Sequence, residues 1–347
     1  VTTSDVMTGE RPAREVLAWS RSLVDPAVRT AVDTLPSSML RIAGYHFGWW
    51  NEHGRPEQGN GGKAIRPTLV LLSAQAVGGT AEAAVPAATA VELVHNFSLV
   101  HDDVMDGDLI RRHRRTAWSV FGINAAILLG DALLTLALDV LAGSGHPAAM
   151  DATRMLSAAV QDLVDGQCAD LAFEQRVQVE PAECVRMAQR KTAALMGCAC
   201  AVGACFGGGS PERVGQLQRF GGALGLAFQH VDDLLGIWGD PAVTGKPVFS
   251  DLRSRKKSLP VVAALASDTS AGRELSALFR REAPLSSTEL AHAAELIEIA
   301  GGRTWSQAQV DDLLAAAMNH LAAPSSATTP ALAELGALAR LATHRDH

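Results

Sequence analysis

Residues 81–106 read AEAAVPAATAVELVHNFSLVHDDVMD, a run of alanine, valine and leucine that closes on three aspartates. Apolar residues recur there at helical intervals, without the β-branched alternation of a strand. Outward from this run, helical patterns follow one another at roughly 66–77, 116–142, 147–174, 180–205, 210–238 and 256–268. They continue at roughly 271–283, 287–299, 304–322 and 329–343, and apolar positions also recur at helical spacing from Pro12 to about Ala43. Gly78-Gly79, Gly143 to Pro147, Gly207 to Pro211 and Pro284 supply the breaks, and Asn51 to Gly62 (NEHGRPEQGNGG) reads as an exposed loop. No change of composition marks a second domain and no repeat is evident. The expectation is a polar tail over 1–10, flexible in solution, followed by one all-α domain over 11–347.

Composition agrees. Of 347 residues, 48 % are hydrophobic and 19 % charged, which suits a sizeable core, and Ala and Leu far outnumber Tyr and Phe. A formal net charge of −7 argues against nonspecific binding of nucleic acid, while leaving room for a compact basic site. Cys168, Cys184, Cys198, Cys200 and Cys205 are odd in number and lie in apolar surroundings, which predicts buried thiols in a reducing compartment. The two-residue spacing of Cys198 and Cys200 is poor for zinc. Residues 1–20 carry acids and no apolar core segment, so no secretory signal is expected. The most hydrophobic stretch, 123–142, is interrupted by Asp131 and Asp139, so no membrane span is expected either. A soluble cytoplasmic protein is the expectation.

On a helix, Asp102 and Asp106 lie one turn apart and Asp103 three residues from Asp106, so the three carboxylates converge. They repel one another unless something positive lies between them, and acids at a helix C-terminus also oppose the macrodipole. Hard oxygen ligands suit magnesium, which keeps several waters and takes phosphate oxygens. The plain alternative is a solvated helix end. A second acidic pair, Asp232-Asp233, stands in QHVDDLLG, where the fifth position is Gly236 rather than an acid. Basic residues surround both clusters in the sequence: Lys63 and Arg66 in GGKAIRP, Arg111 and Arg112 after the first cluster, Lys191 in KTAALMG, and Lys246 in TGKP. Each alone reads as a surface charge; together they match what a diphosphate requires.

GGKAIRP, HDDVMDGDLIRR, GQCAD, RKTAAL, FQHVDDLLG and TGKPVFSDL stand in the order found in trans-isoprenyl diphosphate synthases. The chain resembles that family, and most of all bacterial geranylgeranyl diphosphate synthases, from about residue 60 to Pro260. The resemblance implies a helical bundle around a deep central cavity, and a homodimer. It implies that Asp102, Asp103, Asp106, Asp232 and Asp233 bind about three Mg2+ ions with the allylic diphosphate. Arg111, Lys191 and Lys246 match residues that contact the same diphosphate, and Gln229 a polar residue near the second metal site. Lys63, Arg66, His95 and Arg112 match the pocket for isopentenyl diphosphate. Taken alone, His95 reads as a core histidine.

The implied reaction is ionisation, condensation and elimination. Metals and cations stabilise the departing diphosphate, the isopentenyl double bond attacks the allylic cation, and the released diphosphate takes the proton. In the family, bulky residues four or five positions before the first aspartate limit product length; here they are Ser98 and Phe97. That pattern resembles the archaeal-like geranylgeranyl type. Helix rise sets Phe97 about 7.5 Å from Asp102, too shallow by itself for a twenty-carbon chain. Phe97 is therefore expected to form part of a tunnel floor, against the alternative of an ordinary core aromatic.

Three departures from the family pattern stand out: Gly236; His113 and Arg115, which replace the usual Gly and Pro after the paired arginines; and Lys256-Lys257, where a single lysine is usual and surface exposure is expected. Two rival readings remain. A terpene cyclase on the same fold has no need of the isopentenyl pocket, and a noncatalytic subunit is expected to lose the first aspartates; this chain keeps both.

Overall fold

The computed structural model describes residues 11–57, 59, 62–241, 247–281, 283–322 and 329–343. The polar tail over 1–10 lies outside them. The protein is all-α. In chain order its helices are α1 (Ala13–Val32), α2 (Ser37–His46), α3 (Ile65–Ala76), α4 (Ala81–Met105), α5 (Ala117–Phe121), α6 (Ile123–Ala142), α7 (Ala149–Glu174), α8 (Pro181–Ala188), α9 (Ala194–Phe206) and α10 (Pro211–Trp238). They continue as α11 (Ser250–Arg253), α12 (Leu259–Leu265), α13 (Ser270–Phe279), α14 (Ser287–Ile299), α15 (Gly302–Leu321) and α16 (Pro330–Thr343). A π-helical turn over Gln189–Ala193 joins α8 to α9. Between α4 and α5 a hairpin pairs β1 (Ile110–Arg111) with β2 (Arg114–Arg115), antiparallel, Ile110 opposite Arg115.

Where the helices depart from the expected spans, punctuating residues explain it. The pattern from Pro12 to Ala43 is two helices, because Pro36 caps α2 and restricts the residue before it. The pattern over 116–142 breaks at Gly122, whose φ of 91° is left-handed and separates α5 from α6. The hairpin went unforeseen because strands of two residues carry no readable period. The 51–62 loop is partly ordered on itself: Trp50 bridges Pro56 and Glu57 N–H donates to Trp49 O at 3.0 Å.

The described residues fall into two compact units. The first takes them from 1–157, 198–218 and 323–338; the second from 158–197, 219–322 and 339–347. In the first unit, α1, α3 and α6 pack on α4. The buried face of α4 is small and aliphatic, with Ala84, Ala87, Ala88, Ala90, Val91 and Val94 all 0 % exposed, so neighbouring helices approach closely. Thr80 caps α4 by accepting from Ala83 N–H. In the second unit, α12 packs on α13, α14 and α15, around Leu252, Val261, Leu275, Leu290 and Ile297. Cys184, Cys198 and Cys200 are buried free thiols as expected, whereas Cys168 is free but exposed. Among the described residues, two helices are long and apolar enough to cross a membrane by length and composition. Two-thirds (67 %) of the apolar window of α4 is buried within the protein, against 39 % for α6, whose mean hydropathy reaches 2.0.

Candidate active site

The first acidic end is built locally. Gly107 takes φ 68° and stops α4; Asp106 N–H donates to Asp102 O at 2.8 Å and Asp108 N–H to Asp103 O at 3.0 Å, closing the last turn. Asp102 and Asp106 are thereby held one turn apart at the negative end of the helix dipole, Asp102 half-buried and Asp106 exposed. Asp103 points inward and is 1 % exposed. The chain turns straight into the β1–β2 hairpin, and Arg111 returns to donate through Nε to Asp103 Oδ1 at 2.6 Å. Burial raises Asp103 to about 6 against the pull of Arg111. Burial likewise opposes the charge of Arg111, but Asp103 outweighs it and holds the guanidinium above its ordinary value.

Beside this pair the same unit gathers the residues expected to hold isopentenyl diphosphate. Arg66 Nη1 lies 3.4 Å from His95 Nε2. Burial, with Arg66 and Arg112 adding to it, holds His95 well below the usual histidine value, so the ring is neutral. Arg112 lies against the backbone of Gly62: a Cβ there would come within 2.8 Å of its Cζ. Lys63, the next residue, is exposed. The sequence reading missed the polar chain behind these groups. His46 Nε2 meets Asn96 Oδ1 at 3.1 Å, and Asn96 Nδ2 donates to Glu92 Oε1 at 2.9 Å. Burial, then Arg112, lowers His46 to about 3, while burial raises Glu92 against Asn96, Arg66 and Arg112. The signal available was Glu92 and Asn96 at i,i+4, one on either side of His95. A cavity of about 40 Å³ is lined by Tyr45, His46, Asp103, Arg111, Arg112 and Arg114 among others. Phe97 is 6 % exposed and packs edge-on to His101, centroids 4.9 Å apart; His101 in turn reaches Ile127 O on α6 at 3.0 Å.

The second acidic end lies in the second unit. Near the C-terminus of α10, Asp232 is exposed but Asp233 is buried, 4 % exposed. Asp233 accepts from Gln229 Nε2 at 2.7 Å and from Leu259 N–H at 2.9 Å. Gln229 in turn accepts from Thr192 Oγ1 at 2.5 Å. Burial raises Asp233 to about 7 despite Lys256 nearby. Lys256 was expected on the surface; it is half-buried, because it faces Asp251, Asp233, Asp170 and Asp232, which together hold its charge above the ordinary lysine value against burial. Lys191 donates to Asp170 Oδ2 at 2.6 Å. Gly166 of GQCAD makes that pairing possible, since a Cβ there would come within 2.8 Å of Lys191 Cα. Lys191 and Thr192 both sit in the π-helical turn, a distortion frequent at functional sites. Lys246 lies outside the described residues.

Gly236 has a physical reason. A Cβ on it would lie 2.5 Å from Asp251 Cγ and 2.7 Å from Asp251 Oδ1, so the Asp251 carboxylate occupies the volume that a side chain at 236 would need. Ser250 Oγ fixes this arrangement, lying 3.2 Å from both Gly236 O and Asp251 Oδ1. Asp170 and Asp251 stand in GQCAD and TGKPVFSDL, but their meeting with Lys256 could not be read from motif spacing, because each comes from a different element.

Among the described residues no group of three or more His, Cys, Asp and Glu side chains is gathered as a ready metal cage. Asp106 and Asp232, exposed at helix ends, and the half-buried Asp102 fit a hard divalent ion that keeps waters and substrate oxygens among its ligands, with Asp103 and Asp233 buried next to them. The helical scaffold and these paired acids and cations suit an enzyme that ionises a diphosphate, and similarity to known proteins makes it a trans-prenyltransferase, an enzyme that elongates prenyl chains. The sequence pattern of the polyprenyl synthetase family matches residues 50–297, and the chain belongs to that family. It is 50 % identical over 310 residues to a (2E,6E)-farnesyl diphosphate synthase of Mycobacterium tuberculosis, covering 88 % of this chain and 86 % of the relative. A geranylgeranyl diphosphate synthase of the same organism is 44 % identical over 326 residues, covering 94 % and 93 %. The crystal structure of a polyprenyl synthetase from Streptomyces coelicolor superimposes with a TM-score of 0.90 at 47 % identity, covering 94 % of this chain and 98 % of that one. The family uses a divalent metal.

Proposed function

We propose that this enzyme condenses isopentenyl diphosphate with an allylic diphosphate and releases geranylgeranyl diphosphate. The product rests on resemblance to the archaeal-like geranylgeranyl type: Phe97 is buried on α4, five residues before Asp102 and next to the small Ser98, and the neighbouring helices must supply the depth that Phe97 alone does not. A second reading, farnesyl diphosphate as product, is favoured by the 50 % identity to the mycobacterial farnesyl diphosphate synthase.

Asp102, Asp103, Asp106, Asp232 and Asp233 are the residues that would hold magnesium, with Asp251 offering the carboxylate that position 236 lacks. Bound there with the allylic diphosphate, the metal supplies Lewis-acid stabilisation of the leaving group. Arg111, Lys191 and Lys246 add positive charge to the same diphosphate. Lys63, Arg66 and Arg112 grip isopentenyl diphosphate, and His95, neutral and held by Arg66, orients that group. As the allylic C–O bond breaks, its electron pair leaves on the diphosphate. The isopentenyl double bond then forms the new C–C bond, and a proton passes to the released diphosphate. The wall around the cation must be apolar to exclude water, and Phe97 and its neighbours on α4 meet that need.

The homodimer reading is supported by α6, which leaves Ile123, Ile127 and Leu128 41–56 % exposed on one stretch of helix. The same α6 carries exposed Asp131 and Asp139, which favours a partner surface over a lipid one and a soluble cytoplasmic enzyme acting as one functional domain. Product analysis by mass spectrometry, supplying isopentenyl diphosphate with each allylic starter in turn, tests the reading. A twenty-carbon product is expected from the wild type, and Phe97→Ala is expected to lengthen it by at least one five-carbon unit. A fifteen-carbon wild-type product supports the second reading, and an unchanged length in Phe97→Ala removes the tunnel-floor role.

A further inference from the structure

We propose that Arg114 is a positioning residue for the isopentenyl diphosphate pocket, holding the segment that leads to Lys63 in register with Arg112. This rests on the reading above, in which Lys63 and Arg112 grip that substrate. Arg114 lies on β2, two residues beyond Arg112. Its guanidinium ties the end of α2 to the loop after it: Nη1 donates to Tyr45 O at 3.1 Å, and Nη2 to Trp50 O at 3.1 Å and to Glu57 Oε2 at 2.9 Å. It also lies 4.7 Å from the centroid of the Tyr45 ring. None of these contacts reaches the acidic helix end, which Arg111 already serves.

The glycines around it show how tightly the loop is drawn in. A Cβ on Gly48 or Gly59 would approach Arg114 Nη1 to 3.1 or 3.2 Å, and Gly59 N–H donates to Gly48 O at 2.8 Å. Three residues beyond Gly59, Gly62 lies against the Arg112 guanidinium. The hairpin thus meets Gly59 and Gly62 through two arginines two residues apart. A planar fork with charge-assisted bonds to two carbonyls and a carboxylate fixes Trp50 and Glu57 more narrowly than a lysine ammonium could. A shift of the loop would move Lys63 relative to Arg112, and misplacement by about an ångström is enough to cost affinity or rate severalfold and more.

Steady-state kinetics of full-length Arg114→Gln, Arg114→Lys and Glu57→Gln, each substrate varied in turn, test this. For both Arg114 variants the KM for isopentenyl diphosphate is expected to rise roughly tenfold, while kcat and the KM for the allylic diphosphate stay within about threefold. Arg114→Lys is expected not to rescue, because the fork rather than the charge is required, and Glu57→Gln to give a smaller rise of the same kind. Arg112→Gln is the control for the underlying reading. If it leaves the isopentenyl KM unchanged, the pocket assignment itself is wrong. If Arg112→Gln raises that KM and the Arg114 and Glu57 variants do not, or if they move both KM values and kcat together, the positioning role is overturned. Should Arg114→Gln not fold, Arg114→Lys and Glu57→Gln decide.

Discussion

The two acidic helix ends solve the same electrostatic problem in opposite ways. At the end of α4, Asp106 is exposed and Asp102 half-buried, and the buried acid, Asp103, is balanced by Arg111 only eight residues further on. At the end of α10, Asp233 is buried among partners drawn from elsewhere: Leu259 N–H from α12 and Lys256 from the segment before it, with the like charge of Asp251 from α11 opposing them. The first end keeps Asp106 at the surface and Asp102 partly so, where a metal can approach. The second has committed Asp233 to donors of its own and leaves Asp232 as its exposed acid. Exposed acids lose function when removed; a buried, hydrogen-bonded acid loses stability first.

That contrast is sharpest in a pair of variants. Asp102→Asn is expected to lower turnover by about 10²–10³-fold, the scale of one lost transition-state charge contact, with the melting temperature nearly unchanged. Asp233→Asn leaves either Gln229 or the Leu259 N–H facing an amide NH2 and is expected to cost about 1–3 kcal/mol of stability, with a smaller loss of turnover. pH separates them further. Asp233 titrates near 7 in the folded protein and near its ordinary 3.8 when unfolded. The native state therefore binds that proton more tightly, and the stability it lends is complete below about 4 and lost as pH rises through about 7. Asparagine does not titrate, so denaturant melts should show the deficit of Asp233→Asn shrinking between pH 5 and 8. Equal loss of turnover in both variants would break the comparison.

Position 236 tests the second end from the other side. Gly236→Asp restores the acid usual in the family, but its side chain would enter the volume held by the Asp251 carboxylate. A loss of about 1–3 kcal/mol is expected from the overlap and the like charges, and Gly236→Asp combined with Asp251→Gly should regain most of it. Denaturant unfolding of the single and double variants reads this directly. A single variant as stable as the wild type means that Asp251 yields the space freely.

The same contrast explains what was legible in the sequence. The all-α class and the spans of α3, α4, α7, α10 and α14 were readable within a residue or two, because each shows its own period and its own breaker. The first acidic end was readable because its partners lie within one short stretch, from Asp102 to Arg112. The residues expected to hold isopentenyl diphosphate were named by resemblance, but the His46–Asn96–Glu92 chain behind them was not legible, since His46 comes from α2 and the other two from α4. Lys256 was misplaced on the surface because what draws it inward is four carboxylates, none closer than five residues in sequence. Gly236 looked like a loss in the sequence, and only the packing shows that another carboxylate fills its place.

The smallest expected effect concerns the turn that makes the first end local. Arg112 and His113 take φ of 52° and 63°, so the β1–β2 connection is a two-residue turn with both central residues left-handed, a geometry that favours Asn-Gly. A left-handed conformation costs an L-residue about 1–2 kcal/mol, while glycine loses about 0.5–1 kcal/mol more unfolded-state freedom on folding. His113→Gly should therefore stabilise the protein by about 0.5 kcal/mol, a shift that urea unfolding can resolve. Because His113 contributes only its backbone to this turn, the KM values should stay where they are. A destabilised His113→Gly would mean that the imidazole itself holds the hairpin, and that the first acidic end depends on more than the short stretch from which it was read.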